Sequence, residues 1–108
     1  MTEREALIQL RDAVRAGREP EWDDVDDAMH NQWSRCLMAF NGSLDAAKAL
    51  HEAVLPGWFY EIKTWTSHLP QKSCVAVGNN YKGTAKNPAR AWLLAILEAL
   101  IAEAKIDE

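Results

Sequence analysis

The sequence predicts an α+β fold: a small antiparallel β-sheet flanked by helices, a helix–sheet–helix sandwich with an N-terminal helical extension. Three observations carry this. Between Ala91 and Ala102, in the stretch NPARAWLLAILEALIAEAK (87–105), the only charged residue is Glu98. A helix this apolar must be covered on most sides, so it is the hub of a single core. Residues 58–65, WFYEIKTW, abandon the helical period for alternation and are rich in aromatic and β-branched side chains, which reads as a strand. A second short strand, SCVAV at 73–77, follows a loop containing Pro70, and a short connection favours antiparallel pairing. At 108 residues the chain has the length of one domain. Residues 1–42 read as the helical extension and residues 43–108 as the α-β-β-α sandwich, in one compact unit.

The elements follow in order. Thr2 to Arg15 reads as an amphipathic helix, with Thr2 and Glu5 in a capping-box pattern and Leu7, Leu10 and Val14 as its apolar stripe. Arg4, Arg11, Arg15 and Arg18 are expected largely on the other side, and Gly17 ends the helix. Pro20 and Asp23–Asp24 signal a second start. From there Val25, Met29, Trp33, Cys36, Leu37 and Phe40 recur at helical spacing, with a break conceivable near His30–Asn31. After the Asn41-Gly42 turn, Ser43 caps a third helix whose expected buried stripe is Leu44, Ala47, Leu50 and Val54. Pro56-Gly57 stops it. In the strand that follows, Trp58, Tyr60, Ile62 and Thr64 share one face, and Phe59, Glu61, Lys63 and Trp65 share the other. Residues 78–86 are a turn-rich connection with room for a third short strand. Asn87 and Pro88 then form a helix start, a capping side chain followed by a residue that needs no donor.

Composition narrows the function classes. Hydrophobic residues make up 48% and charged residues 26%, which is globular rather than disordered. Residues 1–57 carry 11 acids and 6 bases, while residues 58–108 carry 5 acids and 6 bases. The acidic first half argues against wholesale wrapping by nucleic acid and leaves a local basic patch in the second half. No uninterrupted run of about 18 apolar residues occurs, so no membrane span is expected. The N-terminus is charged from residue 3 and lacks a signal-peptide pattern. Cys36 and Cys74 form no CxxC pair; the expectation is a cytoplasmic protein with reduced, mostly buried thiols. Five tryptophans in so short a chain suggest excess apolar surface hidden in a homodimer.

Leu55-Pro56-Gly57-Trp58 joins an Ala/Leu-rich helix to an aromatic strand, and Pro88 to Leu100 closes with a helix of the form P-A-x-A-x-L-L-A-I-L-x-A-L. In these segments the chain resembles small phage and prophage proteins with the phage ABA sandwich domain. The resemblance covers residues 43–104 well and the N-terminal third loosely. It implies the helix–sheet–helix sandwich and a phage or prophage origin, and assigns no catalytic residue. Its motifs are structural: a helix stop followed by a strand start, and a packed helix.

Candidate chemistry is sparse. No glycine-flanked Ser or Cys nucleophile occurs on a sharp turn, and a His68–Cys74 pair is the one arrangement open to catalysis. No catalytic residue, cofactor or metal is assigned. The acidic run Glu21, Asp23, Asp24, Asp26 and Asp27 lacks the spacing of a calcium loop. Acids at a helix N-terminus are favoured by the dipole, and the same array suits a basic partner surface. Tyr81, Lys82, Lys86 and Arg90 surround the start of the last helix, where free N–H groups attract anions, although an ordinary turn with solvated lysines explains them equally. Trp58, Phe59 and Trp65 form an aromatic interface candidate if the sheet face that holds them is open, and core if it is covered. The leading expectation is a non-enzymatic phage accessory protein that binds and inhibits or modulates a host protein or ribonucleoprotein complex, in an anti-defence (anti-CRISPR-like) role. Its acidic run would imitate phosphate charge. The alternative is a nucleic-acid or nucleotide-binding module built on the basic turn.

Overall fold

The computed structural model describes residues 3–18, 32–65, 72–78 and 80–104. They form α1 (Glu3–Arg15), α2 (Trp33–Phe40), α3 (Leu44–Val54), β1 (Tyr60–Trp65), β2 (Lys72–Val77), β3 (Tyr81–Ala85) and α4 (Pro88–Ala104). The strands make one antiparallel sheet in the order β1-β2-β3, so the architecture is α+β with a sheet flanked by helices. The connection after residue 78 does contain the third strand. No helix among the described residues is long and apolar enough to cross a membrane.

The hub is α4. Every residue from Ala91 to Leu97 is buried, as are Ala89, Ala99 and Ile101. β3 and β2 pack along one side of it, and α1, α2 and α3 pack on others. Its start is built as the sequence suggests: Asn87 Oδ1 accepts from the Arg90 N–H at 2.7 Å. Its closest neighbour is β3, because Gly83 lacks a side chain. A Cβ on Gly83 would lie 2.2 Å from the Ala91 carbonyl oxygen and 2.7 Å from the Ala95 nitrogen. Glycine on the strand facing alanines on the helix lets backbone meet backbone.

The N-terminal helices belong to the same core: Leu7, Leu10, Val14, Cys36 and Phe40 join Leu93, Ile96 and Leu97 in one cluster. Glu98, the lone charge of the hub, accepts from Arg11 Nη1 at 3.1 Å and Arg15 Nη2 at 3.2 Å. These arginines therefore border the buried stripe of α1 instead of lying opposite it. Their guanidinium groups reach across to α4.

Two further expectations change. Ala46, Ala47, Leu50 and His51 are the buried residues of α3, while Leu44 is 42% exposed. The stripe is rotated toward His51 because that ring has buried hydrogen-bond partners. β1 starts at Tyr60 rather than Trp58, because Trp58 still belongs to the helix stop, donating its N–H to the Leu55 carbonyl at 3.1 Å. The second helix begins at Trp33, with Gln32 before it as the N-cap residue, and residues 19–31 of its expected span lie outside the described residues.

Candidate functional site

Register assigns the two faces of the sheet. Tyr60 and Ile62 stand opposite Val77 and Val75, which stand in turn opposite Tyr81 and Gly83. Residues directly opposite share a face. Val75, Val77 and Gly83 are buried against α4, so this is the helix side. The other face carries Glu61, Ala76 and Lys82 in one row, and positions 63, 74 and 84 in the next. Glu61, Lys82 and Thr84 are exposed there, and Cys74 and Ala76 are half-buried.

Phe59 extends this open face. Its carbonyl accepts from the Gly78 N–H at 2.8 Å, continuing the β1–β2 ladder one pair further. It therefore alternates with Tyr60 and falls on the side of Glu61, where it is 63% exposed. Of the aromatic candidates, Phe59 thus lies on the open face, while the side chain of Trp65 lies outside the described residues. Trp58 goes to the other side: half-buried, its ring lies 6.1 Å from that of Tyr81 and packs against the core.

A buried polar network holds the start of β1 in place. Trp92 Nε1 donates to His51 Nδ1 at 3.2 Å, and His51 Nε2 lies 2.9 Å from the Trp58 carbonyl oxygen. An indole nitrogen only donates, so Nδ1 accepts and Nε2 carries the hydrogen that Trp58 receives. The ring of Tyr60 closes the cluster, 4.5 Å from Trp92 and 5.1 Å from His51. Spacing alone could not reveal this group, since Trp92 and His51 are 41 residues apart. Both nitrogens of His51 are thereby committed to structure.

The four residues expected around an anion are dispersed. Arg90 Nε and Nη2 donate to the Phe40 carbonyl oxygen at 3.0 and 2.8 Å, and its guanidinium lies 4.1 Å from the centre of the Phe40 ring. Tyr81 lies on the helix side of the sheet, Lys82 on the open face, and Lys86 is exposed just before α4. The Arg90 N–H is occupied by Asn87.

Glu21, Asp23, Asp24, Asp26 and Asp27 lie outside the described residues, as do His30 and His68. Cys36 is fully buried, and burial pushes its thiol up to about 12, far from the thiolate needed for nucleophilic chemistry. Among the described residues no group of three or more His, Cys, Asp or Glu side chains comes together to hold a metal. The candidate site is therefore the open sheet face with Phe59 at its edge.

Comparisons with family models, with curated proteins and with solved structures found no match to this chain.

Proposed function

We propose that this chain is a non-enzymatic accessory protein of phage or prophage origin that acts in the host cytoplasm by binding a host protein through its open sheet face. The observation that supports this reading best is Phe59, an aromatic residue 63% exposed whose carbonyl extends the β1–β2 ladder by one hydrogen bond. Exposed aromatics held on regular structure lose little entropy on binding and dominate interface energetics. Glu61, Lys82 and Thr84, exposed on the same face, provide polar groups for such an interface. The acidic run at 21–27 adds negative charge suited to a basic partner, such as the nucleic-acid channel of a defence nuclease complex.

Immobilised protein is exposed to host cytosol and the captured partner is identified. Phe59→Ala is expected to lose that partner while keeping the wild-type unfolding midpoint, because the ring is mostly in solvent. Replacement of Asp23, Asp24, Asp26 and Asp27 by Asn is expected to weaken capture most at low salt. Capture unaffected by Phe59→Ala would sink the assignment to this face. Lys82 on the same face favours one other reading, nucleic-acid binding. It requires an affinity that falls steeply with salt and drops in Lys82→Glu.

A further inference from the structure

The Asn41-Gly42 pair between α2 and α3 is at once a helix stop and a chemically reactive sequence. Asn41 ends α2 at φ −86° and ψ 5°, and Gly42 follows at φ 105°, a left-handed conformation that side chains rarely adopt. The Gly42 N–H donates to the Ala39 carbonyl oxygen at 3.0 Å, and the Ser43 N–H donates to the Met38 carbonyl oxygen at 2.9 Å. This pair of bonds is the glycine helix stop that satisfies carbonyls left free by the last turn. Ser43 Oγ then accepts from the Ala46 N–H at 3.2 Å, so the stop of α2 runs directly into the cap of α3. The glycine that the stop requires also leaves the Gly42 nitrogen unhindered. Asn41 and Gly42 are exposed, and among the described residues no atom beyond the chain neighbours lies within 4 Å of where a Cβ on Gly42 would stand. An unhindered backbone nitrogen next to an asparagine amide is the arrangement that permits intramolecular attack on that amide.

We propose that Asn41 is a self-modification site, converted through a cyclic imide to aspartate or isoaspartate when the turn between α2 and α3 opens. The Gly42 nitrogen bonds to Asn41 Cγ, the Cγ–Nδ2 bond breaks, and ammonia leaves with the proton of the Gly42 amide. Water then adds to one of the two ring carbonyls. Opening on one side restores the main chain with an aspartate side chain; opening on the other routes the main chain through the side-chain carbons. Two features of the closed turn hold this reaction back. The Gly42 N–H is bound to Ala39, which keeps the proton on the nitrogen. The ψ of 5° also turns the Gly42 nitrogen toward Asn41's own nitrogen and away from the Cβ that carries the amide. Ring closure therefore needs rotation about the Asn41 Cα–C bond, which breaks the bonds to Ala39 and Met38 together. Arg90 opposes this opening, because its two bonds to the Phe40 carbonyl oxygen fix the peptide that leads into Asn41. The conversion leaves a lasting mark. Either product puts a carboxylate at the carbonyl end of α2, where the helix dipole disfavours it, and the isoaspartyl chain has an extra methylene that the stop cannot absorb. This inference stands independently of any host partner.

Peptide mapping by mass spectrometry over a time course at mildly alkaline pH tests it, by separating the Asn, Asp and isoaspartyl forms of the peptide that contains residue 41. Asn41 is expected to convert in the chain unfolded by urea. In the folded chain it is expected to convert at least about tenfold more slowly, because the reaction follows the population of the open turn. Arg90→Met is expected to speed conversion in the folded chain by at least about threefold. His51→Leu, toward the other end of α3, is expected to leave the rate near that of wild type. Hydrogen exchange on the wild type, which needs no variant, is expected to show the amides of Gly42 and Ser43 protected and released in one opening. Conversion as fast in the folded chain as in urea overturns the proposal. So do an Asn41 that stays intact in urea, equal rates in wild type and Arg90→Met, the same acceleration in His51→Leu, or unprotected amides at Gly42 and Ser43.

Discussion

Arg90 closes the C-terminal end of α2 by donating twice to the carbonyl oxygen of Phe40, at 3.0 and 2.8 Å, while its guanidinium covers the same residue's ring. An arginine in the first turn of α4 has the wrong sign for that helix's dipole. Turned toward the carbonyl end of α2, the same charge has the right sign. Arg90→Met is expected to destabilise by about 2 kcal/mol, the order of a charged hydrogen bond plus a partly desolvated cation–π contact. Arg90→Lys should recover only part of this, since an ammonium cannot make the forked contact. Urea unfolding midpoints measure both.

Gly83 is the position where substitution is least tolerable. Its missing Cβ would meet the Ala91 oxygen and the Ala95 nitrogen, both backbone atoms of a buried helix that cannot rotate away. Gly83→Val is expected to cost at least about 3 kcal/mol or to prevent folding. The exposed neighbour Thr84→Val should change stability by less than about 0.5 kcal/mol. Thermal melts of the pair, followed by circular dichroism, separate strand propensity from the close approach.

The His51–Trp92 contact gives a coupled prediction. His51→Leu leaves both the Trp58 carbonyl and the Trp92 N–H without this partner, and is expected to cost about 2 kcal/mol. Trp92→Phe removes the donor to Nδ1 and some packing, at about 1–2 kcal/mol. The double variant should cost less than the sum, because both changes break one hydrogen bond. Strict additivity in a denaturation cycle would show that the contact contributes nothing.

The thiols should differ sharply. Cys36 is fully buried and Cys74 is half-buried on the open face, so a thiol reagent should modify Cys74 in the native protein and reach Cys36 only on unfolding. Burial raises the Cys36 thiol from 9.0 to about 12, so the folded chain holds this proton more tightly than the unfolded chain. Its contribution to stability is full below about pH 9 and is lost as pH rises from 9 toward 12. Cys36→Ala should weaken that alkaline loss. An alkaline stability profile identical in Cys36→Ala and wild type would contradict it.

What was legible in the sequence was local. Ser43 and Asn87 cap α3 and α4 through bonds to residues three positions on. Pro56-Gly57 ends a helix, and the alternation from Trp58 onward divides the side chains of β1 between two faces. These features depend on φ/ψ preference and side-chain period, which neighbouring residues set. The apolar run of α4 likewise announced a helix covered on most sides.

Which face of β1 stays open, which residues of α3 are buried and what Arg90 binds were decided only by tertiary structure. Each depends on a partner distant in the chain: Val75 and Val77 meeting α4, His51 meeting Trp92, and Phe40 offering its carbonyl 50 residues before Arg90. A period places residues on a common face but carries no information on what that face will meet. By itself the sequence determined the elements, their caps and the alternation of WFYEIKTW. Packing of the sheet against Ala91 and Ala95 decided that Phe59, and not Trp58, belongs to the open face, because only the glycine at position 83 lets α4 approach so closely.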